Sequence, residues 1–111
     1  MTMTIKQSNL SPQEQSFRAY TKEKSDNALM SILSTEDGRW FLMTLFNDTR
    51  LFNNAFTGNS QTFFNEGLRE AGRMIYNRIN ILGDKAVKLR QQGELEYAQT
   101  MKSFYEMKKG R

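Results

Sequence analysis

Glu66, Arg69, Glu70 and Arg73 come nearest to a constellation that could do chemistry. Glu66 and Glu70, like Arg69 and Arg73, stand four residues apart, and each glutamate precedes an arginine by three. On a helix these spacings make neighbours. Two carboxylates so placed could in principle serve as acid and base, but the flanking arginines would hold both ionised. The cluster therefore reads as a solvated face laced with opposite charges, each pair contributing on the order of tenths of a kcal/mol. Its sharper readings are a contact with another subunit, or a basic rail of Arg69 and Arg73 along a phosphate backbone. A second candidate is the turn Gly58-Asn59-Ser60 before a helix start. Free amides at such a place can cradle an anion. This turn lacks the Gly-Lys-Ser/Thr ending of a nucleotide-binding loop, so it reads first as a chain reversal that caps a helix, and second as an anion or DNA-backbone contact.

The rest of the composition narrows the chemistry further. The 111 residues include no cysteine and no histidine. Thiolate nucleophiles, disulfides, Cys/His zinc sites and histidine-based acid–base work are thereby excluded. The expectation is a protein that is not an enzyme and holds no cofactor. The chain is 38% hydrophobic and 25% charged, which suits a globular domain. Net charge is +4. It runs from −1 over residues 1–37, through +2 over 38–83, to +3 over 84–111. The basic end, with Lys102, Lys108, Lys109 and Arg111, is a candidate for weak electrostatic contact with DNA; a solubilising helix end is the plainer reading. The longest apolar run is Trp40 to Met43, followed after Thr44 by Leu45 and Phe46. This is far short of the ~20 residues that span a bilayer. With no apolar core for a signal peptide near Met1, synthesis in a cytoplasm is expected.

The elements that must position these residues are helices. Residues 1–10 read as a flexible arm and 11–111 as one helical domain. Ser11-Pro12-Gln13-Glu14 is a helix start, with serine as cap, proline at the tolerated first position and glutamate reaching back. Phe17 and Tyr20 share a face, Thr21 to Asn27 is polar, and Ala28, Leu29, Ile32 and Leu33 resume the apolar side. One long helix and two helices broken near Asp26 both suit this, the break being preferred. Ser34-Thr35-Glu36-Asp37 reads as a second capping box. Arg39 to Phe46 is apolar on nearly every face, the mark of a buried helix or a subunit contact. Asn47 to Asn59 reads as a long central loop pinned by Leu51, Phe52 and Phe56. Asn59 or Ser60 caps a helix running to about Leu82, with Phe64, Leu68, Ala71, Ile75, Ile79 and Leu82 at 3.6-residue spacing. Gly83 ends it. Asp84 caps a last helix, which Gly93 interrupts and divides if it breaks there. The fold class is all-α, a compact bundle of four to five helices around the long loop.

Two glycines inside the helix after Ser60 stand out. Each costs roughly 1 kcal/mol against alanine, so Gly67 and Gly72 predict close approach by another backbone or a partner. Around the same region, Trp40, Phe41, Phe46, Phe52, Phe56, Phe63 and Phe64 are foremost core candidates, and second a base-stacking platform interleaved with Arg39, Arg50 and Arg69.

Phe56-Thr57-Gly58-Asn59-Ser60, followed by Thr62-Phe63-Phe64, Glu66-Gly67, Arg69 and Gly72, resembles the signature of a family of small tailed-bacteriophage proteins, typified by one encoded among the virion morphogenesis genes of a Bordetella podophage. Ser34-Thr35-Glu36-Asp37-Gly38-Arg39 and the aromatic helix after it are similar to that family too. The likeness spans roughly residues 33–82 and brings no chemistry with it. It implies a structural or assembly component of a virion, synthesised in the host bacterial cytoplasm, packed against other virion proteins and against copies of itself as a homo-oligomer. The alternative is a DNA-associated internal protein ejected with the genome. On this reading Trp40, Phe56, Gly58, Asn59, Phe63, Phe64, Gly67, Arg69, Gly72 and Arg73 make the packing or partner contacts.

Overall fold

A computed structural model describes residues 9–52 and 61–109. It contains four helices: α1 (Pro12–Leu33), α2 (Glu36–Asp48), α3 (Gln61–Leu82) and α4 (Asp84–Lys109). No strand occurs among the described residues. The all-α expectation therefore stands, with four helices among the described residues.

A fifth helix would have come from a break at Asp26 or at Gly93, and neither breaks. Residues 21–27 contain no glycine or proline, and Lys22 pairs with Asp26 at 2.8 Å across one turn, so polar sequence continues the helix in solvent. Gly93 is buried inside α4, where packing against α2 offsets its poor propensity.

The starts and stops are mostly local. Ser11 accepts from the Glu14 amide, and the Glu14 carboxylate accepts from the Ser11 amide, so the first capping box is as expected. The second moves by one residue. Thr35 is the cap of α2, accepting from the Gly38 amide at 3.0 Å, while Ser34 closes α1. The third residue of α2 is thus Gly38, which has no carboxylate to complete a box. The end of α2 is tied by hydrogen bonds from Arg50 N to the Asn47 carbonyl and from Leu51 N to the Phe46 carbonyl, each 3.1 Å. Arg50 stands at φ 58 between them, taking the left-handed position usually given to glycine in this motif. Asn47 and Asp48 belong to the helix, so the expected central loop starts later. Its part from 53 to 60, including Phe56, Gly58, Asn59 and the expected cap, lies outside the described residues. A single residue, Gly83 at φ 108, links α3 to α4. Its carbonyl accepts from Val87 N at 3.1 Å; Asp84 is then the first residue of α4 and not its cap.

The core is small. Leu29 and Leu33 of α1, Leu42, Met43 and Phe46 of α2, Leu51 beyond it, Ile79 of α3 and Ala86 of α4 form one buried cluster. The apolar stripe foreseen on α3 holds at Ile79, which is buried, and at Ile75 and Leu82, which pack against the core. Toward the start of the helix it is turned: Asn65 and Gly72 are buried, whereas Phe64 is 62% exposed and Ala71 faces solvent. Period alone could not choose between these adjacent rows. The choice falls to Gly72, because the end of α2 lies directly on it. A Cβ there would overlap Thr49 Oγ1, with Thr49 Cβ at 3.0 Å and Leu51 Cβ at 3.5 Å.

Gly67 differs. Nothing lies within 4 Å of where its Cβ would be, so within one chain the close approach expected of the two glycines holds for Gly72 alone. Gly67→Ala therefore replaces a poor helix former without a clash. It is expected to stabilise the folded chain by about 1 kcal/mol, read as a rise in melting temperature by circular dichroism.

Candidate interaction surface

The largest buried polar feature lies between α2 and α4. Arg39 side-chain exposure is 8%, and Nε donates to Glu96 Oε1 at 2.8 Å, Nη2 to Glu96 Oε2 at 3.0 Å and Nη1 to the Leu33 carbonyl at 3.0 Å. The fork thus joins three helices, with geometry that suits a carboxylate bidentately. Hydrogen bonding to Arg39 holds the Glu96 carboxyl below the usual carboxylate range, against the opposing effect of burial. Gly93 makes this possible by letting α2 come close: its Cβ would lie 3.2 Å from Arg39 Cβ and 3.5 Å from Met43 Cε. Next to the pair, Trp40 stacks on Tyr97 with ring centroids 5.0 Å apart, and Asn47 Nδ2 donates to the Tyr97 hydroxyl at 3.3 Å.

A second polar group sits lower in the bundle. Arg90 is buried, with its guanidinium 4.4 Å above the Tyr76 ring and Nη1 donating to the Glu94 carboxylate. Tyr76 in turn meets Phe46 and Phe52 edge-on, at 5.7 and 6.1 Å. This aromatic chain is a packing device. Glu96, Gly93 and Trp40 of the first cluster line, with Glu36, Asp37 and Thr100, an open pocket of about 220 Å³, and no group of three or more metal-ligating carboxylates occurs among the described residues.

The residues singled out from sequence are dispersed by the fold. Phe46 is in the core, and Arg39 is spent on Glu96, so neither serves a base-stacking platform. The helix expected to be buried on every side leaves Trp40 at 38% and Phe41 at 57% exposure. Leu51 pins the end of α2 as foreseen, while Phe52 is 68% exposed and touches only by its edge. Arg69 Nε donates to the Leu51 carbonyl at 3.2 Å, and Arg73 faces Glu70 at 3.5 Å; the two arginines do not form a continuous rail. Phe63 is 82% exposed. At the far end of α4, Lys102 lies 4.0 Å from Glu106 and Lys108 is above the Phe104 ring, Lys109 is exposed, and Arg111 lies outside the described residues. No described helix is long and apolar enough to cross a membrane.

What remains is a surface with more apolar area than one chain can use. Among the described residues fourteen large hydrophobic side chains are exposed, against eight buried hydrophobics in the core. Three of them, Phe63, Met74 and Ile81, form a row along α3 with Phe64 on its flank, while Leu95, Phe104, Tyr105 and Met107 are spread around α4. Ile81 also lines a groove of 660 Å³ between α1 and α3, with Phe17, Lys22, Asp26 and Arg78.

Sequence reasoning did not find the Arg39–Glu96 pair or Arg90, and it read Gly93 as an interruption of its helix rather than a contact point for α2. One signal was present: Arg39 lies on the same face as Met43 and Phe46, so an inward row of α2 begins with a charge that needs a partner. Comparison with known protein families, curated proteins and solved structures gave no match for this chain.

Proposed function

We propose that this protein is a structural or assembly component of a tailed-phage virion, acting by subunit packing and not by catalysis. The virion assignment rests on the resemblance of residues 33–82 to the phage family. The observation that carries the packing mechanism is the excess of exposed over buried large apolar side chains. Scattered exposed hydrophobics are ordinary in a monomer, but a row of them along one helix, as Phe63, Met74 and Ile81 form on α3, is the mark of an interaction surface. The buried polar groups tie helices together, Arg39 through Glu96 and the Leu33 carbonyl, Arg90 through the Tyr76 ring. Homo-oligomers, with virion neighbours beyond them, are the partners this surface suits.

The test is mass spectrometry of purified particles of the encoding phage together with sedimentation of the isolated chain. The expected result is a virion protein that self-associates. Absence from particles leaves a role in assembly alone or toward the host. Binding of the isolated chain to duplex DNA, weakening steeply with salt, would favour the DNA-associated alternative, whose remaining basis is Lys102, Lys108 and Lys109 at the end of α4.

A further inference from the structure

The exposed row of α3 is complementary to itself when reversed, and we infer that it is the contact between two copies of this chain, packed antiparallel about a two-fold axis at the level of Ala71 and Gly72. This rests on the reading of the chain as a self-assembling subunit and names the surface and geometry by which it assembles.

The helix directions follow from 100° per residue. With Asn65, Gly72 and Ile79 facing the core, Phe63, Met74 and Ile81 point directly away from it, consistent with exposures of 82%, 55% and 79%. Glu66, Glu70, Arg73 and Asn77 form one flank of that row, and Phe64, Ala71 and Arg78 the other. A two-fold interface presents the same patch twice, so each residue must suit whatever stands equally far on the other side of the axis. Here that condition is met by the charges of one flank and by the residues at both ends of the row. Glu70 falls opposite Arg73 of the second copy, on the same flank. Glu66 falls opposite Asn77. Phe63 falls within one residue of Ile81, and Phe64 within one residue of Arg78, an arginine–aromatic contact. Ala71 meets its own counterpart beside the axis, where a small side chain permits close helix approach. Among the described residues neither Glu66 nor Arg78 has a charged partner, and the Glu70–Arg73 pair within one chain is long, at 3.5 Å, and more than half exposed.

The groove beside Ile81 supplies the seat. Phe17, Arg78 and Ile81 wall it, and the phenylalanines of the reversed copy arrive at its mouth. By symmetry the insertion occurs twice. A parallel pairing offers none of this, since it sets Glu70 against Glu70 and Arg73 against Arg73.

Sedimentation of the full chain over micromolar concentrations is expected to show a reversible dimer. Glu70→Arg and Arg73→Glu should each weaken it about tenfold, by setting like charges against each other at two symmetric places. The double exchange should restore affinity to within about twofold of the parent. Met74→Glu should abolish the dimer while circular dichroism shows the monomer folded, Met74 being exposed. Because the chain lacks cysteine, orientation can be read directly. Phe63→Cys and Ile81→Cys should cross-link when mixed and barely do so alone. A chain monomeric at every concentration, a dimer indifferent to Met74→Glu and the charge exchange, or cross-links within each single-cysteine variant alone would overturn the proposal. Particle content is independent of these results: a monomer found in virions defeats this interface and not the virion reading, and a dimer missing from particles does the reverse.

Discussion

Gly38→Ala is expected to destabilise the protein by about 3 kcal/mol, although alanine is the better helix former by roughly 1 kcal/mol. Gly38 sits in the first turn of α2, where Thr35 caps the helix and the chain has just left α1. A Cβ at this position would overlap the carbonyl oxygen of Ile32 and lie 2.6 Å from its carbonyl carbon. Both are backbone atoms of the last turn of α1. A side chain can rotate away from a clash, but this carbonyl moves only if the corner opens. Opening it would shift Leu33, which is fully buried, and the Leu33 carbonyl that receives Arg39. In a chain of this size the loss should lower the melting temperature by more than about 10 °C. Gly67→Ala, with the same change in propensity, is the control and should move the temperature upward. A Gly38→Ala protein as stable as the parent would show that the corner is not the tight constraint described above.

Glu96→Ala should be the second large effect, about 2 kcal/mol. Removing one partner of a buried pair strands the other charge, and Arg39 cannot reach water easily at 8% side-chain exposure. The Glu96 side chain is 26% exposed, so water entering the vacated space offsets part of the cost, which keeps the figure below the full range for a buried pair. The pH dependence has a definite sign. The carboxyl of Glu96 is held lower in the folded chain than in the unfolded one by hydrogen bonds from Arg39. Its contribution is therefore complete above the ordinary glutamate range and is lost as pH falls through the lowered folded value. Arg39, whose proton is bound more tightly still, stays charged throughout. The stability difference between parent and Glu96→Ala, measured by urea unfolding, should shrink in acid and be constant from mildly acidic to neutral pH. Replacing both partners by apolar residues, Arg39→Met with Glu96→Leu, should recover much of the loss, since neither charge then remains to be desolvated. A difference that grows on acidification would contradict this account of the pair.

Both effects arise at contacts that join residues distant in sequence or direction, and this marks where sequence reading ended. The helix start at Ser11, the stop at Gly83 and the all-α class were legible because capping, left-handed backbone and apolar periodicity are settled within a turn or two of chain. The seam between Ser34 and Thr35 shifted by one residue because both can cap, and only the turn onto α2 distinguished them. Asp26 and Gly93 looked like breaks because local propensity is the only information a short window holds. In the fold, one is bridged by a solvent ion pair and the other is a contact point for Arg39.

The candidate surface was legible in part. The charges from Glu66 to Arg73 were identified from their types and spacing, whereas Phe63 and Phe64, read first as core, are exposed; which side of α3 each residue occupies was not legible. Neighbouring rows on a helix differ by one residue, and the hydrophobic pattern alone favoured the row through Phe64 and Ala71. The row through Asn65 and Gly72 is buried because Thr49 and Leu51 press on Gly72, a contact across an eight-residue stretch outside the described residues. Sequence by itself determined the all-α class, the helix start at Ser11 and stop at Gly83, and the absence of thiol and imidazole chemistry. Tertiary structure alone decided that Arg39 faces Glu96 across 57 positions, that Gly72 is enclosed while Gly67 is open, and that the aromatic row points outward. The physical reason is range: backbone hydrogen bonds and caps are local, whereas burial of a charge and contact at a glycine depend on which helix arrives from elsewhere.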